Sequence, residues 1–174
     1  MFTVSMPQPA NHLIHVTMRC DNLRGEFHDF YLPAWAPGYY RLLDFQKNVQ
    51  NFRAEDGAGH ALPFEKTTKN SWRIVSGNGS TVALSYDVLG NVSFPVQNFL
   101  NENRALLSPP GLFVYEPGQL RRRITIKIEP PPGWKSIATG LDRAPDRPNT
   151  FTAAEVPIST RVMTGWLPAD PPPP

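Results

Sequence analysis

One cysteine in 174 residues, Cys20, excludes an intramolecular disulfide, so a folded domain must be held by its apolar core. Neither sign of charge dominates. Seventeen Lys and Arg against fifteen Asp and Glu leave a formal net charge of +2, too little to make nucleic-acid binding a default reading. No apolar run approaches the ~20 residues of a membrane-spanning helix, so no membrane span is expected. Met1 to Met6 carries neither the basic start nor the apolar stretch of a secretory signal, which leaves compartment open: cytoplasmic, or exported with the signal removed. Also missing are a repeat of 20 to 50 residues and any helical period longer than one turn.

What is abundant is proline, twenty residues, and glycine, twelve, spread among β-branched and aromatic residues instead of massed in repeats. That distribution marks many short strands with punctuated loops. The chain length suits one core, expected over 1–167, with 168–174, Pro-Ala-Asp-Pro-Pro-Pro-Pro, as a proline-rich tail or linker. The fold expected is all-β: an antiparallel β-sandwich with short strands, Pro/Gly-rich loops and little or no helix.

Strict alternation carries that expectation. His12 to Cys20 places Ile14, Val16, Met18 and Cys20 on one face; Thr81 to Leu89 does the same with Val82, Leu84, Tyr86 and Val88; Ile124 to Glu129 with its three isoleucines. Phe2 to Met6, ending at Pro7, reads as a strand at a sheet edge. Phe27 to Leu32 is a strand whose two faces are equally mixed, so the pattern does not choose the buried one. Arg41 to Asn48 fits one helical turn or a bulged strand. Val49 to Glu55 is a strand, and Asp56-Gly57-Ala58-Gly59 has the turn chemistry of a hairpin into Ala61 to Lys66, with Pro63 suggesting an edge. Ser71 to Val75 follows. Asn91 to Asn103 lacks either period and reads as a long loop, a kind of segment that often carries function. Short strands are expected at Ala105 to Leu107, Leu112 to Tyr115, Ile137 to Thr139, Thr150 to Thr152 and Arg161 to Thr164, with Trp134 folded over the end of the core. Arg121-Arg122-Arg123 reads as a solvated strand entry or as a site for an anion or acidic partner.

The most specific stretch is Leu32 to Phe52. Pro33 and Pro37 fix φ, and Gly38 permits a positive φ, so the backbone is stiff and then sharply bent. Trp35, Tyr39 and Tyr40 ride on the bend, either as a plug over the core or as a rigid contact surface.

Trp35-x-Pro37-Gly38-x-Tyr40, followed by Phe45, Asn48-Val49 and Phe52, resembles the N-terminal domain of the glycyl aminopeptidase family of zinc metallopeptidases. The resemblance continues through Asp56-Gly57-Ala58-Gly59, Leu62-Pro63, Lys69 to Ile74 and Pro131 to Lys135, and covers about Phe2 to Phe151. It implies a β-domain that precedes a thermolysin-like helical catalytic domain and then a PDZ-like one. The chain departs from the family pattern at Tyr39, where a small residue is expected, and at Val156-Pro157-Ile158-Ser159, where the family runs toward a Ser-Pro-Ile-type junction.

The chain's own residues supply little chemistry. A zincin needs His-Glu-x-x-His on a helix, so that two imidazoles share a face and the Glu can act as base on a zinc-bound water. None of His12, His15, His28 or His60 is followed by that spacing, and His12 and His15 fall on opposite faces of one strand. Gly-x-Ser-x-Gly is absent, and Cys20 in a strand pattern reads as a small core hydrophobe. The expectation is no catalytic, cofactor-binding or metal-binding residue on this chain, with zinc implied only for a following catalytic domain. Trp35, Pro37, Gly38, Tyr39 and Tyr40 are the candidate cleft or interface residues. Two functions stay open: a non-catalytic domain that shapes the substrate cleft or docks the catalytic domain, its partner being that domain in cis or the peptide substrate, and a free-standing β-sandwich module for carbohydrate or protein ligands.

Overall fold

The computed structural model describes residues 1–39, 41–154 and 166–168. Fourteen strands are described, with four short 3-10 turns and no α-helix among the described residues. The large sheet has seven strands in the order β12-β13-β10-β1-β2-β7-β4. These are β1 (Phe2–Ser5), β2 (Leu13–Asp21), β4 (Val49–Asp56), β7 (Thr81–Leu89), β10 (Ile124–Glu129), β12 (Asp142–Arg143) and β13 (Thr150–Ala153). The small sheet has order β3-β6-β5, from β3 (Phe27–Tyr31), β5 (Phe64–Thr68) and β6 (Ser71–Val75). Two pairs complete the set: β8 (Phe99–Leu100) with β9 (Ala105–Leu106), and β11 (Trp134–Ile137) with β14 (Trp166–Pro168). The expected all-β sandwich is the observed architecture.

The alternating strands behave as their period dictates. Ile14, Val16 and Met18 of β2, Val82, Leu84, Tyr86 and Val88 of β7, and the three isoleucines of β10 are all buried. They face Phe30 of β3 and Trp72 and Ile74 of β6, so one apolar layer lies between the sheets. In β3 the face carrying His28 and Phe30 is the buried one. His28 Nδ1 meets Glu116 Oε1 at 2.9 Å, which satisfies one of its two ring nitrogens, while Nε2 is buried without a partner among the described residues.

Several local expectations are corrected. β1 is not an edge strand: it lies between β2, antiparallel, and β10, parallel, in register Phe2 with Met18 and Ile126. Pro7 ends that strand, and its position said nothing about where in the sheet the strand lies. His12 is not a strand residue; it caps a 3-10 turn in the left-handed region, φ 61°, with Nδ1 against Leu100 O. After the turn at Asp56 the chain pairs with β4 only as far as Leu62, whose N–H reaches Ala54 O, and then crosses at Pro63 to make β5 in the other sheet. The Arg41 to Asn48 ambiguity resolves as a 3-10 turn at Phe45–Asn48. Leu112 to Tyr115 is not a strand; only Tyr115 pairs, through both backbone bonds to Tyr31. The strand expected at Arg161 to Thr164 and the tail from residue 169 onward lie outside the described residues.

Candidate functional site

Two irregular segments, 32–48 and 91–111, build one surface at the edge of the sandwich. The first leaves β3 with its backbone tied on both sides. Leu32, fully buried, donates to Asn70 O at 2.9 Å, and the Asn70 side chain donates back to Leu32 O at 2.7 Å. Leu43 N–H returns to Ala34 O at 2.6 Å, and Trp35 and Leu42 form an antiparallel bridge, so the two arms of the loop, 34–36 and 41–43, are tied together. At its tip Tyr39 N–H meets Ala36 O at 3.2 Å across Pro37 and Gly38, whose φ is +86°. Proline second and a positive-φ glycine third is the type II turn.

This geometry decides what Trp35 does. Ala36 is buried and anchors the loop, while Trp35 is 50% exposed and Leu42 77% exposed. The indole does not plug the core. Pro37 and Tyr39 are half-buried and Gly38 is exposed; Tyr40 lies outside the described residues.

Tyr39 does not stand free. Its ring meets Phe94 edge-on at 5.3 Å, which joins the loop to the second segment. There Val92 is 45% exposed and Phe94 accepts no more than partial cover. Underneath, the join is rigid. Phe45, buried, packs on Gly111, and the Asn98 side chain donates to Gly111 O at 2.9 Å and accepts from Ser108 N at 2.8 Å. Ser108 Oγ donates to Val96 O at 2.9 Å. Asp44 pins the far side, taking Lys69 Nζ and Lys47 Nζ at 2.9 Å each; those hydrogen bonds, Lys69 first, hold its carboxyl far below the usual carboxylate range.

The result is a pair of solvent-facing apolar side chains, Trp35 and Leu42, bridged across the loop, with the Tyr39–Phe94 contact joining it to a segment that exposes Val92, on backbone that is hydrogen-bonded and braced. Of the residues expected at a cleft or interface, Trp35, Pro37, Gly38 and Tyr39 lie on this loop; the 91–103 segment reads in the sequence only as a long loop, because Val92 and Phe94 carry no period.

The four histidines are dispersed. His12 meets Leu100 O, His15 pairs with Asp87 at 2.8 Å, His28 with Glu116, and exposed His60 with Asp56 at 3.0 Å. Among the described residues no three His, Cys, Asp or Glu are grouped to hold a metal ion. No helix of the described residues is long and apolar enough to cross a membrane.

A family model described as the peptidase M61 N-terminal domain matches residues 1–158. Among solved structures the chain is similar to an aminopeptidase N family protein from Idiomarina loihiensis, with a TM-score of 0.84 and 24% identity. The likeness covers 97% of this chain and 29% of that one, and at such identity it bears on the fold. No curated protein matches the chain.

Proposed function

The chain belongs to the family of peptidase M61 N-terminal domains, and we propose that it is the accessory domain of a larger peptidase whose catalytic domain docks on the Trp35 surface. The observation that carries this reading is Trp35 itself. A large aromatic held half in solvent by a proline-glycine turn, with Leu42 beside it at 77% exposure, costs the isolated chain apolar hydration and contributes little to its core. Such patches serve as contact surfaces, and aromatic anchors dominate contact energies. The turn fixes the backbone before contact, so little entropy is lost on docking. The solved relative being more than three times longer than this chain agrees with a domain that works as part of a larger protein. In this reading the domain supplies shape and support, and zinc and the catalytic base belong to the catalytic domain.

The experiment joins or mixes this chain with the catalytic domain of the same protein and measures association by titration calorimetry. Trp35→Ala and Leu42→Ser should each weaken association about tenfold or more, the range of an interface anchor, and leave the melting temperature of the 174-residue chain almost unchanged. Unchanged association in both variants would remove the surface from the interface. A chain that shows no affinity for the catalytic domain, yet binds a saccharide or another protein through Trp35, would favour the free-standing module instead.

A further inference from the structure

A second feature lies apart from the docking surface and shares none of its residues. A cavity of about 230 Å³ opens at one end of the sandwich, beside β1 and β2 and the segment that leads from Tyr115 into β10. Its inner wall is apolar: Phe2, Met18, Phe30, Val114 and Ile124 line it, all of them buried. Its mouth is charged, carrying Arg19, Asp21, Glu116, Arg122 and Arg123.

Each carboxylate there has an ionisable partner, and Glu116 Oε2 is buried with no hydrogen-bond partner among the described residues. Asp21 pairs with Arg19 at 3.0 Å, and Glu116 takes His28 at 2.9 Å. Among the described residues no carboxylate comes within ion-pair distance of Arg122 or Arg123; Arg122 reaches the Cys20 sulfur at 3.6 Å, a weak contact. Burial raises the Cys20 thiol above its ordinary value, against the pull of Arg122, so the sulfur brings no negative charge at neutral pH. Two guanidinium groups therefore stand without an anion at the mouth of an apolar hole. Of the two readings of the arginine triplet, solvated strand entry or anion site, the cavity beside it favours the second.

We propose that this cavity binds a carboxylate borne on a small apolar group, the hydrocarbon against Phe2, Met18 and Phe30 and the carboxylate on Arg122 and Arg123. Arginine suits the task because its planar fork matches a carboxylate with two parallel hydrogen bonds. The volume sets the size. Pockets for drug-sized ligands span roughly 300–1,000 Å³, so this one takes a phenyl ring or a short aliphatic chain. The same chemistry is offered by a free aromatic or short-chain acid and by the C-terminus of a peptide ending in an apolar residue.

The test is a nuclear magnetic resonance titration of the isotope-labelled 174-residue chain with four probes: 3-phenylpropionate, its amide, N-acetyl-glycyl-phenylalanine, and that peptide's C-terminal amide. The expected result is saturable shifts at Met18, Cys20, Val114 and Ile124 with at least one of the two acids, and affinity about tenfold lower for the matching amide, as expected on losing a charge-assisted bond. Saturation by 3-phenylpropionate alone identifies a free acid as the ligand, and tighter binding of the acetylated dipeptide identifies a peptide terminus. Arg123→Ala removes an exposed side chain and leaves the fold in place, and it should weaken the acid several-fold; Arg122→Gln should weaken it more. Should Arg122→Gln perturb the spectrum of the free chain, Arg122→Lys reads the same contact with the charge retained and the fork lost. Equal binding of acid and amide, unchanged affinity in Arg123→Ala and the Arg122 variant, shifts that map elsewhere, or no saturation at millimolar probe would each overturn the site. Trp35→Ala should leave this binding untouched, so failure here and failure of the docking surface are separable.

Discussion

Phe45 and Gly111 are in contact so close that a β-carbon on Gly111 would lie 2.8 Å from the Phe45 ring and 3.0 Å from the Asn98 amide nitrogen. Neither neighbour can move freely, since Phe45 is 3% exposed and Asn98 is held by two backbone bonds. Together with the Tyr39–Phe94 contact, this one closes the 32–48 loop onto the 91–111 segment. Gly111→Ala should therefore destabilise the chain by about 1–3 kcal/mol, the range for overpacking a filled core. Urea unfolding measures it, and a change within error would show that the two segments separate easily.

Tyr86 makes a second such join. Its hydroxyl, fully buried, donates to Leu112 O at 2.7 Å and accepts from Val114 N at 3.3 Å, so one side chain satisfies two backbone groups of a segment that has no strand partner there. Tyr86→Phe keeps the ring and strands both groups. The expected loss is about 1–3 kcal/mol, since an unmet buried polar group costs more than the bond itself contributes. Equal stability of Tyr86→Phe and the parent would mean that water reaches the 112–114 backbone.

Alkaline pH tests the same burial. Removal from water pushes the Tyr86 phenol far up, and the Val114 bond offsets only part of that; burial also raises Tyr115. A group whose folded pKa is raised holds its proton more tightly folded than unfolded. Its contribution is complete below the ordinary phenol value near 10 and is lost as pH rises above it. Stability should fall as pH climbs past about 10, and the fall should be smaller in Tyr86→Phe. A pH-independent difference between parent and variant would refute the assignment.

How far these relationships could be read from the sequence depends on which backbone groups the period controls. Ile14, Leu84 and Ile126 alternate because the pleat alternates, and each is buried as the pattern requires. The central place of β1 was not legible, because its four residues say nothing about which strands lie beside them, and its parallel partner β10 is more than a hundred residues away. The turn at Gly38 was legible from Pro37-Gly38 alone. The exposure of Trp35 was not, since indoles on such bends serve equally as plugs. Phe94, which Tyr39 touches, was out of reach because contacts between non-periodic segments leave no local trace, and the cavity beside Arg122 because it is lined from strands far apart in the chain.

Phe52 shows how a local irregularity is used. Asn51 adopts φ 52° where the pairing of β4 with β7 slips between Gln50 and Arg53, and its side chain donates to Asp87 at 2.8 Å. That bulge accompanies a Phe52 ring set parallel to Trp72, 4.8 Å apart and 6° off, with Tyr86 stacked at 5.9 Å. Phe52→Ala removes the ring that bridges the sheets and should cost about 3 kcal/mol, the low end for a large aromatic because Phe52 is only partly buried. Near-ultraviolet circular dichroism should lose intensity together with stability; intact stability would place the inter-sheet energy elsewhere.

The last prediction separates exposure from preorganisation in the proposed docking surface. A β-carbon on Gly38 meets nothing within 4 Å, so replacing it tests the backbone alone. At φ +86° alanine carries a cost of roughly 1–2 kcal/mol that asparagine, more tolerant of the left-handed region, largely avoids. Because the loop tip is solvent-exposed, that strain is relieved by opening the turn, and the global melting temperature should drop little. Trp35→Ala should also leave it nearly unchanged, since the indole is half in solvent. Docking should respond differently. If the turn holds Trp35 in its contact geometry, Gly38→Ala weakens association with the catalytic domain severalfold and Gly38→Asn weakens it less, in the order of their backbone strain. If the surface acts through apolar area alone, Trp35→Ala weakens association and both Gly38 variants bind like the parent. The ranking of four affinities, measured with the Tm of each chain, decides between a preformed loop and an adaptable one.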